Sequence, residues 1–153
     1  MNNNRILVFS PHADDATIFV GGTLAKHAAE GKEVTIARVT NDDFDSHGLD
    51  TETTIVKNRE EAEAAYAALG AVVTIHMGYK SDYMMTNDYG RLRADIVRLI
   101  RKIRPYTVFT FDLAMKNESN MDHDIIGKAV HEALWIAAFD LHYPEQIAEG
   151  LAP

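Results

Sequence analysis

The sequence predicts an α/β fold of three layers, with a mainly parallel sheet covered by helices on both faces. Three observations carry that expectation. Four short runs rich in Val, Ile and Thr alternate with four helical patterns, as parallel strands joined by crossover helices do. Each run is almost continuously apolar, which suits a sheet buried on both faces. The segments that follow the runs are long, polar and acidic, whereas those that precede the later runs are short (EGK, GA, RPY). The two ends of the sheet therefore serve different purposes.

The first run is RILVFS (5–10), which leads into PHADD and a helix expected over 20–30. EVTIARVT (33–40) opens into TNDDFDSHG, and a helix over 54–69 follows. That helix contains NREEAEAAYAALG, dense in Ala and Glu, with Gly70 as its stop. VVTIHM (72–77) runs into GYKSDYMMTND and a helix over 90–103, which Pro105 ends ahead of the next strand. TVFTFD (107–112) is followed by FDLAMKNESNMDHD and a helix over 123–138. The tail LHYPEQIAEGLAP carries no strand or long helix, and the pattern stops as though cut inside a larger one, a C-terminal truncation. The arrangement is Rossmann-like, a single domain over 1–153 with strand order 3-2-1-4. Ligands of such folds bind beyond the carboxyl ends of the strands, where the order reverses, and all four acidic loops lie there.

Composition narrows the partners. The 153 residues are 46% apolar and 25% charged, enough to bury a core in a soluble protein. No run approaches the roughly 18–20 apolar residues of a membrane span, and MNNNRILVF lacks a secretory leader's basic region and cleavage site, so a cytoplasmic location is expected. Zero cysteines leave imidazole and carboxylate as the ligands for any transition metal. Fifteen basic against 23 acidic side chains, a net charge of -8, exclude nucleic acid and anionic membranes. The basic run from Arg91 to Arg104 falls at helical spacing and reads as a solvated face. A neutral or weakly charged small molecule fits best. FVGGTLA lacks the G-x-G-x-x-G spacing of a dinucleotide site; Gly21 and Gly22 read as letting the first helix pack close to the sheet.

PHADD is the stretch that demands a reason. Adjacent carboxylates repel unless a cation or proton compensates. His12 and Asp15 lie three residues apart on the turn leaving the first strand, and His123 ends the fourth loop. If the first and fourth strands are neighbours, the three meet as a His-Asp-His set with an open position, a pattern suited to catalytic Zn²⁺. A bound water would then approach a pKa of about 7, and Asp14 would take its proton as general base. The competing reading makes Asp14 and Asp15 the cap and first turn of a helix. His27, His47, His76, His131 and His142 read as structural or surface, with His47, in the acidic second loop, open to a second use. Asp42, Asp43 and Asp45 could bind a second cation or sugar hydroxyls, or form a solvated loop. Tyr79, Tyr83 and Tyr89, with Met84 and Met85, could stack on a sugar or make a subunit contact.

PHADD with FVGGTLAKHAAEGKEV, then NREEAEAAYAALG, MGYKSD and NMDHDIIGKAVHEALW, resembles the PIG-L/LmbE-like family over nearly the whole chain. These are zinc-dependent de-N-acetylases acting on N-acetylglucosamine groups in glycolipids, thiol-precursor glycosides and oligosaccharides. The resemblance implies zinc on His12, Asp15 and His123, Asp14 as general base, and Asp122 orienting a neighbouring histidine. It places Asp82 near the sugar and Arg59 near a substrate-contacting arginine, a register that could instead select Asn58. It also implies a homo-oligomer, trimer or hexamer. Three departures stand out. The family's His-Pro-Asp-His reads Asn120-Met121-Asp122-His123 here, and Asn can donate a hydrogen bond to an oxyanion but no proton. Losing a general acid costs about 10²- to 10⁴-fold unless His47 or a water replaces it. A glutamate common after the double aspartate is replaced by Ala16 and Thr17, and family members are usually longer. Two further functions stay open: a catalytically weak relative that binds metal and sugar, and a Mg²⁺-dependent phosphohydrolase.

Overall fold

The computed structural model describes residues 4–86, 89–114 and 118–153. Four parallel strands, β1 (Arg5–Ser10), β2 (Glu33–Thr40), β3 (Val73–Tyr79) and β4 (Thr107–Phe109), form one sheet in the order β3-β2-β1-β4. The helices are α1 (Asp15–Ala29), α2 (Thr51–Ala68), α3 (Tyr89–Ile103), α4 (Met121–Ile136) and the short α5 (Pro144–Ala148). The expected fold class and strand order are therefore those observed.

Alternation along each strand builds the layers, because successive side chains leave a strand on opposite faces. Ile6 and Val8 of β1, with Val34 and Ile36 of β2, pack on Ala16 and Leu24 of α1 and on Ala62 and Tyr66 of α2. Leu7 and Phe9, with Ala37 and Val39, pack on the other face against Leu92, Ile96 and Val97 of α3 and Ala129 and Val130 of α4. β1 is central, and both of its faces are covered.

The structure corrects several sequence readings. Helix α1 begins at Asp15 rather than near residue 20: the β-branched and aromatic run Thr17–Val20 disfavours helix, but burial of Ala16 and Leu24 overrides that preference. β4 ends at Phe109, not residue 112, because the chain leaves the sheet so that Phe111 stacks on His123. Gly21 meets Leu69 at the end of α2 and Gly22 faces open space, so neither brings α1 close to the sheet. Gly70 does stop α2, with φ +84. Arg101 is no part of a solvated face: it is buried, and its guanidinium donates to the carbonyls of Ala137, Phe139, His142 and Tyr143 and to Gln146. Among the described residues no helix is long and apolar enough to cross a membrane.

Candidate metal centre

The turn leaving β1 spans only residues 11–14 and is clamped from three sides. Ser10 Oγ donates to the His12 carbonyl (2.7 Å) and accepts from Ala16 N–H (3.0 Å). Thr40 at the end of β2 donates to the Pro11 carbonyl (2.8 Å), and Tyr66 of α2 donates to the Ala13 carbonyl (2.7 Å). The Asp15 carboxylate accepts the His12 backbone N–H (2.8 Å). These bonds hold the His12 and Asp15 side chains above the end of β1.

His123 arrives from the opposite side of the crevice. Asn120 caps α4, its Oδ1 accepting Asp122 N–H (2.9 Å), which puts His123 in the first turn. Its ring stacks on Phe111 with centroids 4.0 Å apart. One turn further on, Gly127 lies so close to the Phe111 carbonyl that a Cβ there would sit 2.8 Å from its oxygen. β1 and β4 are hydrogen-bonded neighbours, which brings the two loops together.

Three donor groups converge. His12 Nδ1 lies 3.2 Å from His123 Nε2 and 3.3 Å from Asp15 Oδ2, and His123 Nε2 lies 3.3 Å from Asp15 Oδ1. The outward nitrogens are both taken. His12 Nε2 faces Asp122 at 3.1 Å and His123 Nδ1 faces Glu118 at 3.0 Å. A carboxylate only accepts, so each outward nitrogen carries the hydrogen, and neutral rings then turn both remaining lone pairs toward Asp15. Asp122 is buried and also accepts the Asp82 backbone N–H (2.8 Å), so the third loop braces the start of α4 and, through Asp122, the His12 ring. Of the described His, Asp and Glu residues, His12, Asp15 and His123 are the group spaced to hold a metal.

Without a metal, protons take its place. Burial alone would lower the His12 pKa, but hydrogen bonds to Asp122 and Asp15 outweigh it and hold the value up to about 10. His123 is likewise raised: burial opposes this, and bonds to Asp15 and Glu118 prevail. Burial would raise Asp15, yet its bonds to the two imidazoles hold it well below the usual carboxylate range. The field that retains these protons favours any cation placed between the same groups.

The donors floor a cleft of about 660 Å³ whose walls include Asp14, Asp45, Asn58, Asp82 and Asn120. Asp14 is exposed and precedes α1, but its side chain makes no cap hydrogen bond, so the helix-cap reading does not hold for it. Asp42 also borders the cleft, yet it is buried, 3.2 Å from the equally buried Arg38, with its pKa pushed up to about 6 by burial. Asp43 is buried too and accepts Ser81 N–H, so this part of the second loop is not the solvated run it could have been. Asp122 stands behind His12 rather than in the cleft. Arg59 is not at the cleft: it is exposed and paired with Glu63 at 3.0 Å, while Asn58 occupies the wall and braces the Asp42 and Asp45 carbonyls. His47 is exposed and does not border the cleft. Tyr79 donates to Asp95, Met84 is in the core, and Tyr83 pairs with Phe44 around the Lys80 ammonium. Glu118, Ser10 and Tyr66 escaped the sequence reading. The one signal for Glu118 was a carboxylate just ahead of a helix start that bears a histidine.

A family model described as "GlcNAc-PI de-N-acetylase", PIG-L, matches residues 7–134. A 1D-myo-inositol 2-acetamido-2-deoxy-alpha-D-glucopyranoside deacetylase of Thermobispora bispora is 32% identical over 139 residues, covering 73% of this chain and 45% of that protein. The N,N'-diacetylchitobiose deacetylase of Pyrococcus horikoshii superposes with a TM-score of 0.92 at 25% identity, over 99% of this chain and 57% of that one. The 4-carboxy-2-hydroxymuconate hydratase of Pseudomonas putida KT2440 does so with 0.78 at 25% identity, over 94% and 60%. The chain thus spans about half the length of the curated relatives it matches.

Proposed function

The chain belongs to the PIG-L family, and on that premise we propose that it is a zinc-dependent hydrolase removing the N-acetyl group from an N-acetylglucosamine-type sugar or glycoconjugate. The observation that carries the reading is the convergence of three lone-pair donors on the floor of a cleft, with the unengaged Asp14 carboxylate beside them. The donor set supports zinc, because two imidazole nitrogens and one carboxylate with an open position are the ligands of a catalytic zinc site. Magnesium prefers all-oxygen, octahedral surroundings, which counts against the phosphohydrolase alternative.

Held by His12, Asp15 and His123, zinc would supply Lewis acidity at the acetyl carbonyl and lower the pKa of the attacking water. The rest falls to this chain's side chains. Asp14 takes a proton from water as the oxygen bonds to the carbonyl carbon. It returns that proton to nitrogen as the C–N bond breaks, leaving acetate and a free amine. Asn120 has its Oδ1 fixed by Asp122 N–H, so its Nδ2 is the end free to donate to the developing oxyanion. Asn120 has no proton to give, so Asp14 carries both transfers. That makes a slower enzyme, or a binding relative, the second reading.

Zinc content of wild type and His123→Ala, together with acetate release from N,N'-diacetylchitobiose by wild type and Asp14→Asn, tests this. About one zinc per chain, absent from His123→Ala, and acetate release lost in Asp14→Asn are the expected results. Failure of wild type to take up zinc would overturn the proposal, and zinc uptake without acetate release would favour the binding relative.

A further inference from the structure

Charge is the property of this cleft that the chemistry above leaves unused. Six of its bordering side chains are carboxylates, Asp14, Asp15, Asp42, Asp45, Glu61 and Asp82, and among the described residues none is Lys or Arg. The cations that sequence position brings nearest are already paired, and none of them lines the cleft. Arg59 is paired with Glu63, Arg38 is buried against Asp42, and Lys57 lies 3.8 Å from Glu61, outside the cleft. The Lys80 ammonium sits over the Phe44 and Tyr83 rings at 5.0 and 4.2 Å. A divalent cation on the floor would offset two of the six charges, and Arg38 and Lys57 one each through Asp42 and Glu61, so the walls stay net negative.

We propose that the cleft selects its substrate by charge, accepting N-acetyl amino sugars whose neighbouring group is uncharged or an amine and turning away those that carry a phosphate or carboxylate there. This deepens the deacetylase reading and rests on it for the reacting group. A concave wall of one sign concentrates ligands of opposite or no charge and repels like charge, and the effect weakens with salt. The same field is unsuited to a polycarboxylate of the kind named for the hydratase that shares this fold.

The test compares N-acetylglucosamine with N-acetylglucosamine 6-phosphate, which differ by one anionic group. On the zinc-loaded protein at low ionic strength, kcat/KM for the neutral sugar should exceed that for the phosphate by about tenfold or more, with the gap narrowing near 0.5 M salt. The Asp45→Asn, Glu61→Gln double variant should narrow it as well. Equal or better turnover of the phosphate overturns the proposal, and so does a gap that neither salt nor the double variant changes, since that is steric. If neither sugar is hydrolysed, the deacetylase reading is decided by the diacetylchitobiose assay above, and calorimetric binding of the two sugars decides the charge preference. Tighter binding of the neutral sugar, weakening its lead with salt, upholds it; equal binding, tighter phosphate binding or no binding of either overturns it.

Discussion

Gly127→Ala should separate the stability of the fold from the integrity of the candidate metal centre. A methyl group at this buried position in α4 meets the Phe111 carbonyl oxygen at 2.8 Å, against the 3.4 Å where ordinary contact begins. Something must therefore give by about 0.6 Å. Phe111 is held by its ring stack on His123, one turn before Gly127 on the same face of α4, so the strain falls on the register between the helix and His123. Metal–ligand distances tolerate only about 0.2 Å, and loss of a supporting contact typically weakens binding about 10- to 100-fold, or about 1.4–2.7 kcal/mol. Overpacking costs about 1–3 kcal/mol, but replacing a helical glycine by alanine returns about 1 kcal/mol. The net loss of stability should be only about 0–2 kcal/mol. Zinc competition against a chromophoric chelator at fixed pH measures the first quantity, and urea unfolding of the metal-free protein the second. Gly22→Ala is the control: its added methyl meets nothing within 4 Å, so it should gain stability without altering zinc affinity. If Gly127→Ala behaves like Gly22→Ala, Phe111 simply moves aside, and the claim that its carbonyl sets the position of His123 fails.

Three other outcomes are expected. The His12 pKa in the folded metal-free protein, about 10, lies above its unfolded value of 6.5, so protonated His12 stabilises the fold; this contribution is complete below about pH 6.5 and is lost as pH rises through about 10. The Tm of the metal-free protein should fall across that window more than that of His12→Gln, and equal slopes would refute the assignment. Arg101→Leu, which strands four carbonyls and Gln146, should cost about 3 kcal/mol or more. Arg101→Lys should recover little of it, because an ammonium cannot span the same fork; a urea midpoint within error of wild type for Lys would count against that. Asn120→His should remove the α4 cap at about 1 kcal/mol while raising kcat for acetate release about 10²-fold or more by adding a proton donor. An unchanged kcat would mean Asp14 already meets the demand.

What was legible in the sequence was whatever a residue type demands of its immediate surroundings or of the topology. Two adjacent aspartates after an apolar strand demand compensation, and a β/α alternation with acidic loops at one end places that compensation at the strand carboxyl ends. From these alone His12, Asp15 and His123 could be brought together, although 108 positions separate the last two. The parts that could not be read depend on angles and on contacts between distant segments. Asn58 and Arg59 are neighbours about 100° apart around one helix, and no pattern in α2 says which one faces the cleft; the contact of Arg59 with Glu63 settles that, and Glu63 is equally silent in the sequence. Glu118 lies in an aperiodic loop, where a carboxylate is ordinary until a histidine ring is found 3.0 Å away. Arg101 looked like one more cation on a basic helix because spacing cannot reveal that the chain after α4 folds its carbonyls back over it. The groups that tune a site are thus harder to see in sequence than the groups that form it: a ligand is chosen for its chemistry, but its supporter only has to be an acceptor in the right place, and many residue types and positions can supply one.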